Sequence, residues 1–143
     1  MIKIDVFVRD KNWSKYIPNP NKYLNKKAKL IKLKKGTIKG KNINFSILLT
    51  GNKEIRFLNN KFRKKNKITD VLSFPYNTVK KTKRILKNKR SIYLGDIALN
   101  FYEINKVKKN FKKEFNKLWI HGFLHLLGYS HKKNNDFYQM KKL

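Results

Sequence analysis

The sequence contains no cysteine, and this absence narrows the chemistry open to the chain. Disulfide bonds, thiolate metal ligands and cysteine nucleophiles are excluded, so a bound metal ion must take nitrogen or oxygen ligands. A chain without disulfides fits a reducing compartment, and we expect a cytoplasmic location. Long apolar runs are also missing, and the first ten residues alternate and carry charges. We therefore expect neither a signal peptide nor a transmembrane helix, and no membrane partner.

Acidic residues are scarce as well. The 143 residues include 8 Asp and Glu against 37 Lys and Arg, for a formal net charge of +29. Such a surface attracts polyanions, and RNA, DNA and anionic lipid are the candidates. Most of the excess is lysine, and asparagine is also abundant, a pairing that biased genome composition can produce without selection for binding. The charge supports a nucleic-acid partner but does not establish one.

The hydrophobic pattern predicts an α+β fold in one domain, residues 1–143. Hydrophobic residues make up 40% of the chain, enough for one packed core. Alternation or short apolar runs predict strands at Ile2–Val8, Ile43–Thr50, Asp70–Pro75 and Ser91–Asn100. With helical patterns between them, these segments predict a single small mixed β-sheet of about four strands packed with helices.

Three segments carry apolar residues at helical spacing, which predicts helices at about Lys22–Leu33, Lys53–Arg63 and Tyr102–Leu127. The last of these is expected to be one continuous helix. Its final two turns are apolar nearly all round, which is typical of a helix buried on most sides. Gly128 is a good stop signal for it.

The remaining segments are predicted to be less regular. Residues 13–21 contain two prolines and are expected to form a loop. Residues 77–90 hold seven Lys or Arg and are expected to form a flexible basic excursion. A short helix is expected around Phe137–Lys141.

The three histidines of the chain fall within the eleven residues HGFLHLLGYSH, at 121, 125 and 131. His121 and His125 are four apart, so on a helix they lie on one face, one turn apart. Both imidazoles can then reach one ion, and the turn at Gly128 lets His131 return as a third ligand. Three protein nitrogens leave a fourth position for water, the usual arrangement of catalytic zinc. The alternative, three structural histidines that cluster by chance, is disfavoured by their spacing on an apolar helix end.

The neighbours of these histidines bear on the kind of hydrolase. In HExxH proteases a glutamate follows the first histidine and acts as general base, whereas this chain has Gly122. A peptidase of that type is therefore disfavoured. Glu114 lies seven residues before His121 on nearly the same helix face, but we interpret it as a surface carboxylate.

Three segments resemble the YbeY family of bacterial endoribonucleases, the rRNA maturation factors. HGFLHLLGYSH is similar to the family signature HGxLHLxGYDH, with Ser130 in place of aspartate. LNNKFRKKNKITDVLSFP, from Leu58 to Pro75, resembles the family's LNxxYRxxDxxTDVLSFP segment, and LGDI at 94–97 resembles the strand before the metal helix. The resemblance extends from about Ile43 to His131.

The resemblance implies one zinc ion bound by His121, His125 and His131, and no other cofactor. It implies cleavage of RNA of the single-stranded type, 16S rRNA 3′-end maturation with the small ribosomal subunit, and ribosome quality control. Arg63 matches an arginine thought to contact RNA or assist cleavage, with Phe62 in place of the family's tyrosine. A serine at position 130 can still donate a hydrogen bond but carries no charge, so we expect metal binding with altered tuning.

Other polar residues in the matched segments have simpler interpretations. Arg63 on sequence grounds alone is an exposed cation at a helix end, and the resemblance favours a catalytic role. Asp70 and Asp96 are each interpreted as turn caps beside strand ends. Thr69 and Ser73 are interpreted as strand-end and sheet residues.

Two other functions stay open. One is a metal-dependent hydrolase of another substrate, such as a peptide. The other is a non-enzymatic, basic ribosome-binding protein stabilised by a structural zinc. A fourth protein ligand would indicate the structural site, since structural zinc is usually held by four protein ligands.

Overall fold

The fold comes from a computed structural model, which describes residues 1–33, 40–106, 110–129 and 138–140. Strands and helices alternate along most of the chain. In order they are β1 (Ile2–Val8), a 3₁₀ helix (Lys11–Lys15), α1 (Pro20–Ala28), β2 (Ile31–Leu33), β3 (Asn42–Thr50), α2 (Asn52–Arg63), β4 (Val71–Pro75), α3 (Val79–Asn88), β5 (Ser91–Asn100), α4 (Phe101–Asn105), α5 (Phe111–Leu126) and β6 (Tyr138–Met140).

A mixed sheet of four strands, in the order β1-β3-β5-β4, organises the fold. β1, β3 and β5 are parallel, with Ile47 of β3 opposite Ile97 of β5. β4 lies at one edge and runs antiparallel to β5, with Ser73 opposite Ile97. The predicted α+β fold with one small mixed sheet is confirmed. Beside this sheet, β2 and β6 form a separate antiparallel pair that the sequence did not predict.

The main core lies on one face of the sheet, beneath α1 and α5. Phe123 of α5 stacks on Phe45 of β3 with ring centroids 5.1 Å apart, and both rings are fully buried. Burial of one such side chain is worth about 1.5–3 kcal/mol. Trp13 closes the end of this core, and its indole N–H donates to the Thr50 carbonyl at 2.9 Å. The core thus holds α5 firmly against the sheet.

The opposite face of the sheet is covered by α2. Ile55 of α2 packs with Leu72 of β4 and Ala98 of β5 in a second, smaller cluster. Neighbouring residues of a strand point to opposite faces, so Ala98 belongs to this face and Ile97 to the main core. α2 and α5 therefore cover opposite faces, and the edge strand β4 contributes to both.

The first helix and the loop before it differ from the sequence prediction. The predicted helix over Lys22–Leu33 is wrong at both ends, because α1 begins at Pro20 and ends at Ala28. Ile31–Leu33 forms β2, and its partner is remote in the chain. The predicted loop over residues 13–21 is also partly wrong, since Lys11–Lys15 form a 3₁₀ helix that Asp10 caps.

The basic segment is a helix, so the predicted flexible excursion over residues 77–90 is wrong. α3 spans Val79–Asn88, and the Thr78 hydroxyl caps it by accepting the Lys81 backbone N–H at 3.2 Å. Thr82 and Leu86 are buried on its inner side. These two buried residues anchor the segment to the core. The many lysines around them make the amphipathic pattern difficult to recognise in the sequence.

The predicted continuous helix over Tyr102–Leu127 is two helices. Asn110 has φ −168° and ψ 87°, which is not helical, and its side chain accepts the Lys113 N–H to start α5. The predicted helix around Phe137–Lys141 is wrong at Tyr138–Met140, which forms β6, and its two ends lie outside the described residues. No helix in the described parts of the chain has the length and apolar character needed to span a membrane.

Candidate functional site

The C-terminal end of α5 carries two histidines one helical turn apart. From Leu118 to Leu127 every residue is buried except His121 and His125, which are partly exposed. Polar side chains on such a helix are costly unless they have partners. The helix thus directs two imidazoles toward solvent along one face, as the four-residue spacing predicted.

The turn after α5 reverses the chain. Gly128 has φ +94°, and its N–H donates to the His125 carbonyl at 2.9 Å while the Tyr129 N–H donates to the Leu124 carbonyl at 3.0 Å. This pair of bonds is a Schellman motif, in which a left-handed residue, usually glycine, ends the helix. Tyr129 then packs on the core, and burial raises the pKa of its phenol. The chain is therefore turned and anchored just before residue 131.

The third predicted ligand stays a prediction. Ser130 and His131 lie outside the described residues. Within the described residues no three His, Cys, Asp or Glu side chains form a group that could hold a metal ion. Glu114, which we interpreted as a surface carboxylate, is partly exposed near the start of α5.

Gly128 offers a direct test of this turn. A Cβ at this position would strain the backbone and would lie 2.8 Å from Val79 Cγ1. We expect Gly128→Ala to lower the free energy of unfolding by about 1–3 kcal/mol, measured by urea denaturation. Gly40→Ala is the matched control, because Gly40 also has positive φ (+76°) but a Cβ added there would meet no atom within 4 Å. Equal losses in the two variants would contradict a specific contact between Gly128 and α3.

Gly122 lies where α5 meets the sheet. A Cβ there would be 3.0 Å from two carbons of the Ile97 side chain, which is fully buried. The position next to His121 therefore faces the core and has no space for a glutamate. This packing supports the inference from sequence that the chain is not an HExxH-type peptidase.

Arg63 occupies the last turn of α2 and is held against β4. Its Nη2 donates to the Ser73 carbonyl at 2.9 Å, and its guanidinium carbon lies 6.0 Å from the centroid of the Phe74 ring. Lys64, with φ +56°, ends the helix directly after it. Arg63 is exposed at the helix end, as the sequence alone indicated, and these two contacts orient it along the edge of the sheet.

Arg63 also lines a cavity of about 730 Å³ on the α2 side of the sheet. The cavity is open, and its wall combines two arginines with several aromatic rings. These residues are Arg9, Arg63, Phe7, Phe62, Phe74 and Tyr76. Phe7, Phe62 and Tyr76 are at least half exposed, at 50%, 59% and 73%. Cations beside exposed rings suit a ligand with phosphates and planar bases.

Asp96 borders the same cavity, and its interpretation as a turn cap is wrong. It lies inside β5 and accepts a hydrogen bond from the Tyr93 hydroxyl at 2.6 Å. Burial, and then the bond to Asp96, raise the pKa of Tyr93 to about 12. The phenol is thus kept protonated as a donor to the carboxylate.

Asp70 precedes β4, as a turn residue would. Its carboxylate accepts from the Thr69 hydroxyl at 3.3 Å, and its carbonyl accepts the Asn100 N–H at 2.9 Å. Ser73 is a sheet residue of β4, as predicted, and its carbonyl is the partner of Arg63. Thr69 and Asp70 therefore order the start of the edge strand.

The two predicted parts of the site meet at β4. Arg63 reaches this strand from the α2 face, and α5, which bears His121 and His125, packs against the strand from the other face. Arg63 and the histidine-bearing helix α5 therefore contact the same edge strand.

Comparison with known proteins identifies the family. The sequence pattern of the family described as Endoribonuclease YbeY matches residues 8–143. The chain belongs to this family. Endoribonuclease YbeY of Pelagibacter ubique is 45% identical over 99% of this chain and 91% of that protein. Endoribonuclease YbeY of Bartonella quintana is 32% identical over 100% of this chain and 89% of that protein. The solution structure of TM1509 from Thermotoga maritima has 27% identity and a TM-score of 0.49, with 93% of this chain and 76% of that chain covered.

Some residues of this YbeY-family chain that line the cavity were not identified from sequence. Phe7 alternates with the apolar residues of β1 and so belongs to its polar side, where an exposed aromatic ring is unusual, and that position was the available signal. Tyr76 directly follows the matched segment that ends at Pro75. Neither could be assigned to a common cavity without the strand order, because β1 and β4 are at opposite edges of the sheet.

Proposed function

We propose that the chain is an endoribonuclease that holds one zinc ion through His121, His125 and His131 and cleaves single-stranded RNA. One observation carries this proposal: between Leu118 and Leu127, only the two histidines reach solvent. Membership of the YbeY family, which is named for endoribonuclease activity, supports RNA as the substrate.

The donor set fits zinc. Imidazole nitrogen is a usual zinc ligand, and two imidazoles one turn apart are a common way to present a pair of them. His131 follows the Gly128 turn by three residues and is proposed as the third ligand. When bound, zinc would supply Lewis-acid polarisation of the scissile phosphate.

The protein's own side chains would bind and orient the RNA. Arg63 already donates one hydrogen bond to Ser73, and a guanidinium has five N–H donors in a planar fork. The remaining donors suit two oxygens of one phosphate. Bases next to that phosphate would stack on the exposed rings of Phe62 and Tyr76.

The biological setting is part of the proposal. We propose that the chain matures the 16S rRNA 3′ end on the small ribosomal subunit and acts in ribosome quality control, in the cytoplasm. The net charge of +29 supports association with rRNA, because lysine contacts to phosphates release counterions.

Metal removal tests the proposal on the purified full chain. We expect about one zinc per chain, and at least a tenfold loss of RNA oligonucleotide cleavage after chelation, with recovery on zinc but not magnesium addition. Metal analysis and a cleavage assay provide the measurement, with a peptide substrate as the control for the other hydrolase class. Persistent cleavage after complete zinc loss would refute the metal role. Unfolding on chelation of a protein that never cleaves RNA would favour a structural zinc instead.

A further inference from the structure

Helix α3 and the two residues after it present a dense basic surface, which we call the α3 basic surface: Lys80, Lys81, Lys83, Arg84, Lys87, Lys89 and Arg90. All seven side chains are exposed. The chain has no acidic residue between Asp70 and Asp96. Accordingly, none of the seven forms an ion pair with a carboxylate of the described residues. The surface therefore carries a concentrated positive field that no carboxylate of the described residues neutralises.

Five of these seven cations are held on a packed helix. Thr78 caps α3, Thr82 and Leu86 are buried, and Ile85 packs against the main core. Lys80 and Arg84, like Lys83 and Lys87, are four residues apart on the helix. Like charges at that spacing repel each other, and a polyanion laid along the helix relieves the repulsion. Because the apolar side of α3 is used in the core, it is not available to enter a lipid surface.

The α3 basic surface starts beside the proposed metal site. Val79, the first residue of α3, packs against Gly128, three residues after His125. Leu86 of α3 and Phe123 of α5 belong to the same core cluster. A helix of ten residues is about 15 Å long. At roughly 3.4 Å per phosphate along a stacked strand, that length matches about four phosphates.

We propose that the α3 basic surface is a docking track for the phosphate backbone of an RNA strand. It would hold about four phosphates on one side of the scissile phosphodiester bond, which the proposed function puts at the histidine end of α5. The identity of the bound strand as substrate rests on the proposed function. The track itself rests on charge, burial and the contact between α3 and Gly128.

The test compares two variants of equal charge. In the first, Lys80, Lys83, Arg84 and Lys87 are all changed to Gln. In the control, the exposed residues Lys11, Lys15, Lys22 and Lys26 are changed to Gln. The control lysines lie on the 3₁₀ helix and α1, and α1 packs against β1, at the sheet edge opposite β4. Binding of a single-stranded RNA oligonucleotide to the full chain is measured by fluorescence anisotropy over a salt series.

The α3 variant should lose at least about tenfold in affinity near 100 mM salt, and its log–log salt slope should fall by about 2–3, as loss of four phosphate contacts requires. The control should change the slope by less than about 1. In cleavage assays the α3 variant should raise KM and leave kcat unchanged. Equal losses in both variants would overturn the proposal, because they would indicate net charge alone. Retained RNA binding with loss of binding to phosphatidylserine vesicles would also overturn it, as would a fall in kcat alone.

The binding assay separates this proposal from the proposed function. If the wild-type chain cleaves no RNA, the proposed endoribonuclease activity fails, whereas the comparison of the two variants still tests the track. If the wild-type chain cleaves RNA and both variants bind equally well, only the track fails. Circular dichroism melting checks that each variant is folded.

Discussion

His125→Ala is expected to remove zinc and to lower RNA cleavage by at least about 100-fold, which corresponds to about 2.7 kcal/mol of transition-state stabilisation. The reason lies in the position of the imidazole. Between Leu118 and Leu127, His125 is one of only two residues with a partly exposed side chain. Its imidazole is proposed to be one of the three zinc ligands. Two ligands do not retain zinc as three do, so metal content and cleavage should fall together. Metal analysis and single-turnover cleavage provide the measurements.

Two further variants separate the loss of a zinc ligand from a general disturbance of helix α5. His125→Gln keeps most of the side-chain volume and a polar end, so it reports on the ligand rather than on a cavity in the helix. Lys117→Ala truncates an exposed residue one turn before His121 on the same helix and should leave zinc content unchanged. Full zinc occupancy in folded His125→Ala, or equal loss in Lys117→Ala, would refute the assignment of His125 as a ligand.

The sheet could be predicted from sequence because its strands have strong local patterns. The run from Ile43 to Thr50 is apolar enough to be buried on both faces, and the structure has the strand at Asn42–Thr50. Ser91–Asn100 matches the predicted strand at both ends. Such segments are decided by their own composition, since β-branched and aromatic residues suit a packed sheet.

Helix α3 was missed because charge conceals its pattern. Thr82 is followed by Ile85 and Leu86 at three- and four-residue spacing, the signature of a buried helix face. The lysines between them suggested a solvated loop. In a chain with so many lysines, basic residues carry little information about secondary structure, and the few apolar positions must be weighed alone.

Other errors arise from interactions that local sequence does not contain. Ile31–Leu33 continues the helical spacing of α1, yet it pairs with residues more than one hundred positions later. The break before α5 had a local signal, since Asn110 is a good N-cap and Glu114 lies in the first turn, but an apolar stripe runs through it. Tertiary contacts overrode the helical periodicity at Ile31–Leu33, and helix capping overrode it at Asn110.

In the candidate site too, some features follow from local sequence and others depend on tertiary contacts. The histidine pair and the Gly128 turn are local, so spacing alone predicted their geometry on α5. The orientation of Arg63 depends on the Ser73 carbonyl and the Phe74 ring, ten and eleven residues further on, and on the strand order. Sequence could identify Arg63 only through a matched motif, and the structure supplies the physical reason for its fixed position.

Arg63→Ala is expected to lower kcat for RNA cleavage by about 10²–10³, the range seen when a preorganised donor to developing negative charge is removed. The bond to Ser73 fixes the guanidinium before RNA binds, so its free donors need little reorganisation when a phosphate arrives. Zinc content should not change, because Arg63 is not one of the three proposed zinc ligands. Steady-state cleavage and metal analysis measure the two effects.

Two substitutions sharpen this prediction. Arg63→Lys keeps the charge but loses the planar fork, so it should recover less than about tenfold of the lost kcat. Arg56→Ala removes an exposed arginine two turns earlier on the same helix, outside the cavity lining, and should leave kcat unchanged. If Arg63→Ala raised only KM, Arg63 would bind RNA without acting on the transition state. If Arg56→Ala lost as much activity as Arg63→Ala, the orientation of Arg63 against β4 would not contribute to catalysis. A general loss of positive charge would then explain both effects.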